Sequence, residues 1–223
     1  SVVRQAILPH IQPRYANQTC WRGVIKMVLP AEKQAQIKEM WSKKGRFAAI
    51  QIAEDLVYWF AVQKVPADGK DNVETLHDDL IKTFGHFDMA KEIILATPKY
   101  KIMRNDLSDL PPTKTWHKGN IGLIGDAIHA TTPNLGQGGA QAIEDGLALA
   151  RCFEKYQDLE SIFSAYEGLR VKKANFVIEQ SRIFGKIAHW ENSSAIGIRN
   201  FILRNTPSKP FIKRFMKLYE VNY

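Results

Sequence analysis

At 223 residues the chain has room for one large domain or two small ones, and its 45% hydrophobic and 24% charged residues are ordinary for a globular protein. No apolar run approaches the roughly 18 residues of a membrane span, so composition argues against both disorder and a spanning helix. The net charge of +8 sits in the tail, since residues 1–150 carry 18 Lys+Arg against 16 Asp+Glu and residues 151–223 carry 13 against 7. Without interleaved stacking aromatics on a nucleic-acid module, this pattern reads as solvated helical faces and not as a nucleic-acid surface.

Pro9, Pro13 and Asn17 punctuate the opening stretch, and 20–29 reads as a strand ending at Pro30. Apolar Ala35, Ile37, Met40 and Trp41 recur at roughly helical spacing, which predicts a helix over 31–44 with Gly45 as its stop. Residues 46–53 and 56–62 are rich in β-branched and aromatic side chains and flank Glu54-Asp55, the pattern of a hairpin. Val73, Leu76, Leu80, Ile81 and Phe84 predict an amphipathic helix, 89–95 a second short one, and 100–107 another strand. After Pro111-Pro112, a short strand is expected over 119–124. Beyond Gly136 the pattern is helical, with Pro207 and Pro210 interrupting a last helix. The tail 201–223 mixes Phe211, Ile212 and Phe215 with Lys209, Lys213 and Arg214, and packing onto another domain or subunit is expected for it.

Cys20 and Cys152 stand far apart in no metal or redox spacing, which fits buried thiols of a reducing, cytoplasmic protein. His129 and the adjacent acids Glu144-Asp145, which helical geometry sends to different faces, are too few for a metal site. His129 reads as a packing or hydrogen-bonding residue and the two acids as helix-positioning groups.

The richest segment runs over 125–145, between an apolar strand and a helix. Asp126 at a strand end is placed to accept from ligand hydroxyls, and Gly136, Gly138 and Gly139 would let a flat ring approach the main chain. Turn geometry alone explains the same residues equally well.

The string Gly125-Asp126-Ala127-Ile128-His129, followed by Pro133, Gly136-Gln137-Gly138 and Glu144-Asp145, resembles the second flavin-binding motif of the FAD-dependent aromatic-ring hydroxylases. Ser1-Val2-Val3-Arg4 is similar to the close of that family's Asp-Gly-x-x-Ser-x-x-Arg motif, and the resemblance extends to its urate and salicylate hydroxylases and zeaxanthin epoxidases. It implies an α/β fold, α+β as truncated: an antiparallel-sheet substrate domain, the C-terminal part of an FAD-binding Rossmann-like domain, and a helical tail. The implied boundaries are 1–18 for the end of a first FAD-domain segment, 19–112 for the substrate sheet, 113–156 for the FAD motif and 157–223 for the tail.

The resemblance also implies the site. FAD would be held by Gly125, Asp126, Pro133, Leu135, Gly136, Gln137, Gly138, Gly139 and Ala140, with Asp126 on the ribityl chain and the start of the following helix stabilising the anion of reduced flavin. NAD(P)H would serve as reductant, O2 and a small aromatic or other ring compound as substrates, and a flavin C4a-hydroperoxide as oxygen donor; oxidation or epoxidation on the same scaffold is the alternative.

Arg46 and Tyr58 have the Arg/Tyr spacing of the flavin-dependent purine hydroxylases, where such a pair contacts substrate. A two-residue turn would put them on opposite faces of the hairpin, and only an odd-length turn or bulge brings them together. Otherwise Arg46 is a solvated strand end and Tyr58 a core residue. Arg22 is a third candidate, for a substrate carboxylate or enolate, with a surface ion pair as its alternative. The Gly-x-Gly-x-x-Gly unit that would bind the pyrophosphate is absent from these residues. Weak FAD retention, inactivity and self-association of the chain by itself are therefore expected.

Overall fold

Side chains alternate between two environments along the strands, and that alternation organises the computed structural model, which describes residues 1–207, 216 and 218–221. The chain divides into two units. One comprises Ser1–Ala16, Ser108–Lys186 and Gly197–Tyr223, the other Asn17–Leu107 and Ile187–Ile196.

The second unit is built on a five-stranded sheet of β1 (Arg14–Lys26), β2 (Glu39–Trp41), β3 (Arg46–Ala53), β4 (Leu56–Gln63) and β5 (Met103–Asp109), in the order β2-β3-β4-β1-β5. Trp21, Ile25, Phe47, Val57, Trp59 and Ala61 line one face and pack against Leu80, Phe84, Ile93 and Ile94 of two helices. These are α3 (Leu76–Phe84) and α4 (Ala90–Ala96), both close to where the sequence pattern predicts helices. Trp59 is fully buried, and burying a side chain of this size contributes roughly 1.5–3 kcal/mol or more. Its indole Nε1 donates to Thr97 Oγ1 at 2.9 Å, which ties the end of α4 to the sheet. Gly23 faces it from β1, where an added Cβ would lie 2.9 Å from Trp59 Nε1, so that position takes no larger residue without displacing the indole.

The helix expected over 31–44 is not formed. Only α2 (Ala31–Gln34) is helical, and it has no side-chain cap, while residues 39–41 join the sheet as an edge strand with Met40 opposite Phe47 and Trp41 opposite Arg46. Edge pairing with β3 buries part of Met40 and Trp41, which a solvated amphipathic helix here would not do; Ile37, needed for the helical stripe, is 80% exposed.

The first unit holds α1 (Val2–Ile7), a two-stranded antiparallel hairpin of β6 (His117–Lys118) and β7 (Ile121–Gly122), α5 (Asp126–His129), α6 (Gly138–Lys155) and residues of α7 (Leu159–Ala188) up to Lys186. α8 (Ser193–Asn205) follows. The strand expected over 119–124 is thus shorter, because Gly119 at φ +56° turns the chain and 123–125 already leads into the next turn. Gly122 packs under Phe163, and an added Cβ there would lie 2.6 Å from the ring. Trp116, Leu123, Ile128, Ala148, Phe163 and Tyr166 form the core of this unit. α8 ends at Asn205, before Pro207; Pro210 and most of the tail pattern lie outside the described residues. No helix among the described residues is long and apolar enough to cross a membrane.

Candidate flavin site

The segment that the sequence singles out forms two connected turns in the first unit. Gly125 adopts φ +57° and ψ −141°, a conformation closed to other residues, and an added Cβ there would also meet Ala142 Cβ at 3.1 Å. Glycine at this position lets α6 lie close beneath the turn while Asp126, the first residue of α5, stays exposed.

The turn is anchored from behind by Asp145 of α6. Asp145 Oδ2 accepts from the Gly125 N–H at 2.8 Å and lies 2.5 Å from His129 Nε2, and Oδ1 accepts from Arg170 Nε of α7 at 2.8 Å. Burial works against ionising this carboxylate, but hydrogen bonds from His129, Arg170 and Gly125 prevail and hold it below the usual carboxylate range. Arg170, fully buried, also bonds Glu144 through Nη1 and reaches Gln141 O and Oε1 through Nη2 at 3.1 and 2.8 Å. Lys173 adds two contacts to Glu144, at 2.8 and 2.9 Å. Glu144 and Asp145, assigned to different helix faces from sequence, therefore converge on one guanidinium. One long guanidinium spans both, its Nε meeting Asp145 and its Nη1 Glu144, and so bridges the roughly 100° between adjacent Cβ directions on α6.

Arg4 supports the same turn from the other side. It is 3% exposed, with Nε donating to Ile11 O and Nη1 to Ala127 O, each at 3.2 Å, while Ser1 Oγ caps α1 by accepting from the Arg4 N–H at 3.2 Å. The short motif fragment at the start of the chain thus sits directly behind the Asp126 turn.

The second turn runs from Thr132 through a 3₁₀ turn, Pro133–Leu135, to Gly136 in the left-handed region at φ +64°. It is latched to α7. Ser181 Oγ donates to Thr132 O at 2.6 Å, and Asn134 Nδ2 donates to Ser181 O at 3.0 Å and Thr132 Oγ1 at 2.9 Å. α6 then starts at Gly138 with no acidic residue in its first turn and no side-chain cap from Gln137, which leaves the positive end of an 18-residue helix open.

A Cβ added at Gly136 or Gly139 would meet nothing within 4 Å, and one at Gly138 only Thr131 Cγ2 at 3.5 Å. Open space above three glycines and an uncapped helix start fit a flat ring that carries negative charge when reduced. Pro133, Leu135, Gln137 and Ala140 belong to the same surface segment, with Gln137 buried against α6.

In the second unit the register decides the question that the turn left open. Gln51 pairs with Val57 and Ala53 with Leu56, so Ile52 is an extra residue, and past this bulge Ile50 lies opposite Tyr58 and Arg46 opposite Val62. Arg46 and Tyr58 therefore occupy the same face of the sheet, the one away from α3 and α4. Arg22, opposite Phe60, and Cys20, opposite Val62, share it.

Burial pushes the Cys20 thiol up to about 11, against the pull of Arg22 and Arg46. Burial likewise raises Tyr58, while Arg22 opposes through its charge and a hydrogen bond to the phenol. Arg46 is 2% exposed and is not a solvated strand end: its Nη1 pairs with Glu39 Oε1 at 2.9 Å and its Nη2 reaches Gln18 Oε1 at 3.4 Å. Sequence reasoning passed over Glu39, Arg170 and Ser181. Glu39 was hidden by the helical reading of 31–44, and the other two lie more than twenty residues from the groups they hold.

Residues 26–180 match the family model described as FAD binding domain. Over 204 residues the chain is 36% identical to an aurachin C monooxygenase/isomerase of Stigmatella aurantiaca, covering 92% of this chain and 53% of that protein. It is 32% identical over 188 residues to a chloroplastic zeaxanthin epoxidase of Oryza sativa subsp. japonica, covering 79% of this chain and 28% of the epoxidase. The crystal structure of Klebsiella pneumoniae HpxO with FAD and uric acid superimposes with a TM-score of 0.87 at 25% identity, covering 98% of this chain and 57% of HpxO. The chain thus spans about half the length of the aurachin C enzyme and of HpxO, and less of the epoxidase. With the glycine-lined turn, the open helix start and these matches together, the chain belongs to the FAD-binding-domain family of flavin-dependent monooxygenases.

Proposed function

We propose that the full-length polypeptide carrying this chain is an NAD(P)H-driven FAD monooxygenase that places one atom of O2 on an electron-rich ring. The open glycine surface at 136–139, leading into the uncapped start of α6, carries the reading. FAD, once bound, supplies acceptance of hydride from NAD(P)H and activation of O2. The chain's own residues do the rest. Asp126 accepts a hydrogen bond from a ribityl hydroxyl; the N–H groups of 138–140 face developing negative charge on the ring; Pro133 and Leu135 shield it from water. Arg22, Arg46 and Tyr58 orient the substrate. Both cysteines are free and buried, which supports a reducing, cytoplasmic setting.

Product formed under ¹⁸O₂ by the full-length polypeptide tests this. One ¹⁸O per product ring is expected, and NAD(P)H consumption that yields only hydrogen peroxide with every ring substrate offered would contradict it. The 32% identity to a zeaxanthin epoxidase favours one second reading, oxygen transfer to an alkene, and the position of the label distinguishes the two.

A further inference from the structure

Arg46 and Glu39 come together through the edge pairing that the sequence hides. In the β2–β3 register Trp41 lies opposite Arg46 and Glu39 opposite Ala48, so Glu39 stands two residues along the neighbouring strand on the same face as Arg46. Across the next pair Phe60 is opposite Ala48, and across β1 Arg22 is opposite Phe60. One row of the face therefore reads Glu39, Ala48, Phe60, Arg22, and the next reads Trp41, Arg46, Val62, Cys20.

The Arg46 side chain is 3% exposed and that of Glu39 24%, with 2.9 Å between Nη1 and Oε1, so the cation is spent on a carboxylate of the chain itself in a largely dry setting. A substrate carboxylate approaching Arg46 would have to share the guanidinium with Glu39 or displace it. Either arrangement sets two negative charges side by side with one buried cation between them. Arg22 and Lys26 are further cations that β1 places on this face, but both are exposed, and an ion pair in contact with solvent adds little. An uncharged ring meets no such penalty, since Phe60 and Trp41 offer aromatic area and the Tyr58 phenol, 6.1 Å from Phe60 between ring centres, offers a hydrogen bond.

We infer that Glu39 sets the charge class of the substrate: by neutralising Arg46 it reserves this face for uncharged rings and disfavours ring carboxylates. The inference rests on the proposal that Arg22, Arg46 and Tyr58 contact substrate.

Salicylate and salicylamide have the same shape and differ in charge at neutral pH, so the ratio of their dissociation constants, read from perturbation of flavin absorbance in the full-length FAD-loaded polypeptide, is the test. The natural protein is expected to favour salicylamide. Glu39→Gln is expected to shift the ratio toward salicylate by about tenfold or more, the scale of a buried charge pair. An unchanged ratio in Glu39→Gln, or a natural protein that favours salicylate, overturns the inference.

Should Glu39→Gln fail to fold with its cation unpaired, the doubly neutral Glu39→Gln/Arg46→Gln variant decides. Retention of the natural ratio supports the inference, and selective loss of salicylate shows that Arg46 was available to anions and overturns it. Phe60→Ala separates this from failure of the underlying proposal. If Phe60→Ala and the Glu39 variants all leave both probes unaffected, or no protein binds either probe, the face is not the substrate site and the inference falls with it.

Discussion

Arg170 of α7 and Asp145 of α6 are both fully buried and meet at 2.8 Å, and the same carboxylate holds the Gly125 N–H from its other oxygen. The turn that presents Asp126 is therefore fixed by a guanidinium 45 residues further along the chain. Removing that cation leaves Asp145 with His129 and the Gly125 N–H, and Glu144 with Lys173, two buried acids without the guanidinium they share. Arg170→Met is expected to cost about 3–5 kcal/mol of stability, as breaking one side of a buried pair does. Urea unfolding of the full-length polypeptide measures it, and a loss below about 1 kcal/mol, the range of a surface pair, would show that the network is not structural.

Gly138 separates folding from cofactor binding. Its added Cβ meets only Thr131 Cγ2 at an ordinary 3.5 Å, so the protein has room for a side chain that a ring lying on the backbone does not. Gly138→Val is expected to lower flavin content after gel filtration while leaving the protein folded, apart from the roughly 0.5 kcal/mol scale of helix-propensity changes. Undiminished flavin content would remove the close-approach argument.

Asp126 is exposed, and among the described residues no hydrogen bond ties its side chain into the fold in the way that Asp145 is tied. Asp126→Ala is expected to leave the melting temperature of the FAD-free polypeptide unchanged and to weaken FAD binding by about 1–3 kcal/mol, one lost hydrogen bond in a partly buried site. Equal FAD affinity in isothermal titration would count against its ribityl role.

His117 gives the first unit a pH dependence. Burial lowers its pKa, but Glu167, 2.8 Å from Nδ1, and Glu160 outweigh that, so the folded-state value lies above the unfolded one. A group raised on folding contributes stability that is fully present below its unfolded pKa and is lost as pH rises through the folded one. Stability from this pair is expected to decline as pH rises through the region just above the usual histidine range, and His117→Gln is expected to flatten that decline. Titration of the His117 ring by NMR checks the direction, and a midpoint below the ordinary histidine value would reverse it.

How much of this was legible in the sequence follows from how local each signal is. The hairpin over 46–63 and the helices near 76–84 and 90–96 announce themselves through periodicity and turn residues within a few positions. Gly125, Asp126 and the glycines at 136–139 are readable because the turn needs those residue types in that order. Residues 31–44 misled because four apolar positions at helical spacing also suit a short edge strand, and only the presence of β3 alongside decides between them. The parity of the Glu54-Asp55 turn was undecidable until Ile52 was seen to bulge, and that one residue places Arg46 and Tyr58 on a common face. The Asp145–Arg170 and Thr132–Ser181 contacts join residues 25 and 49 positions apart, a separation that no window of sequence pattern spans.

Amide hydrogen exchange of the full-length polypeptide with and without FAD tests the central claim, that the glycine turn and open helix start of residues 125–140 hold the flavin. Exchange over 125–140 is expected to slow when FAD is added, most at 138–140, while the hairpin over 46–63 is little affected. FAD binding that leaves the exchange of 125–140 unchanged would contradict the account.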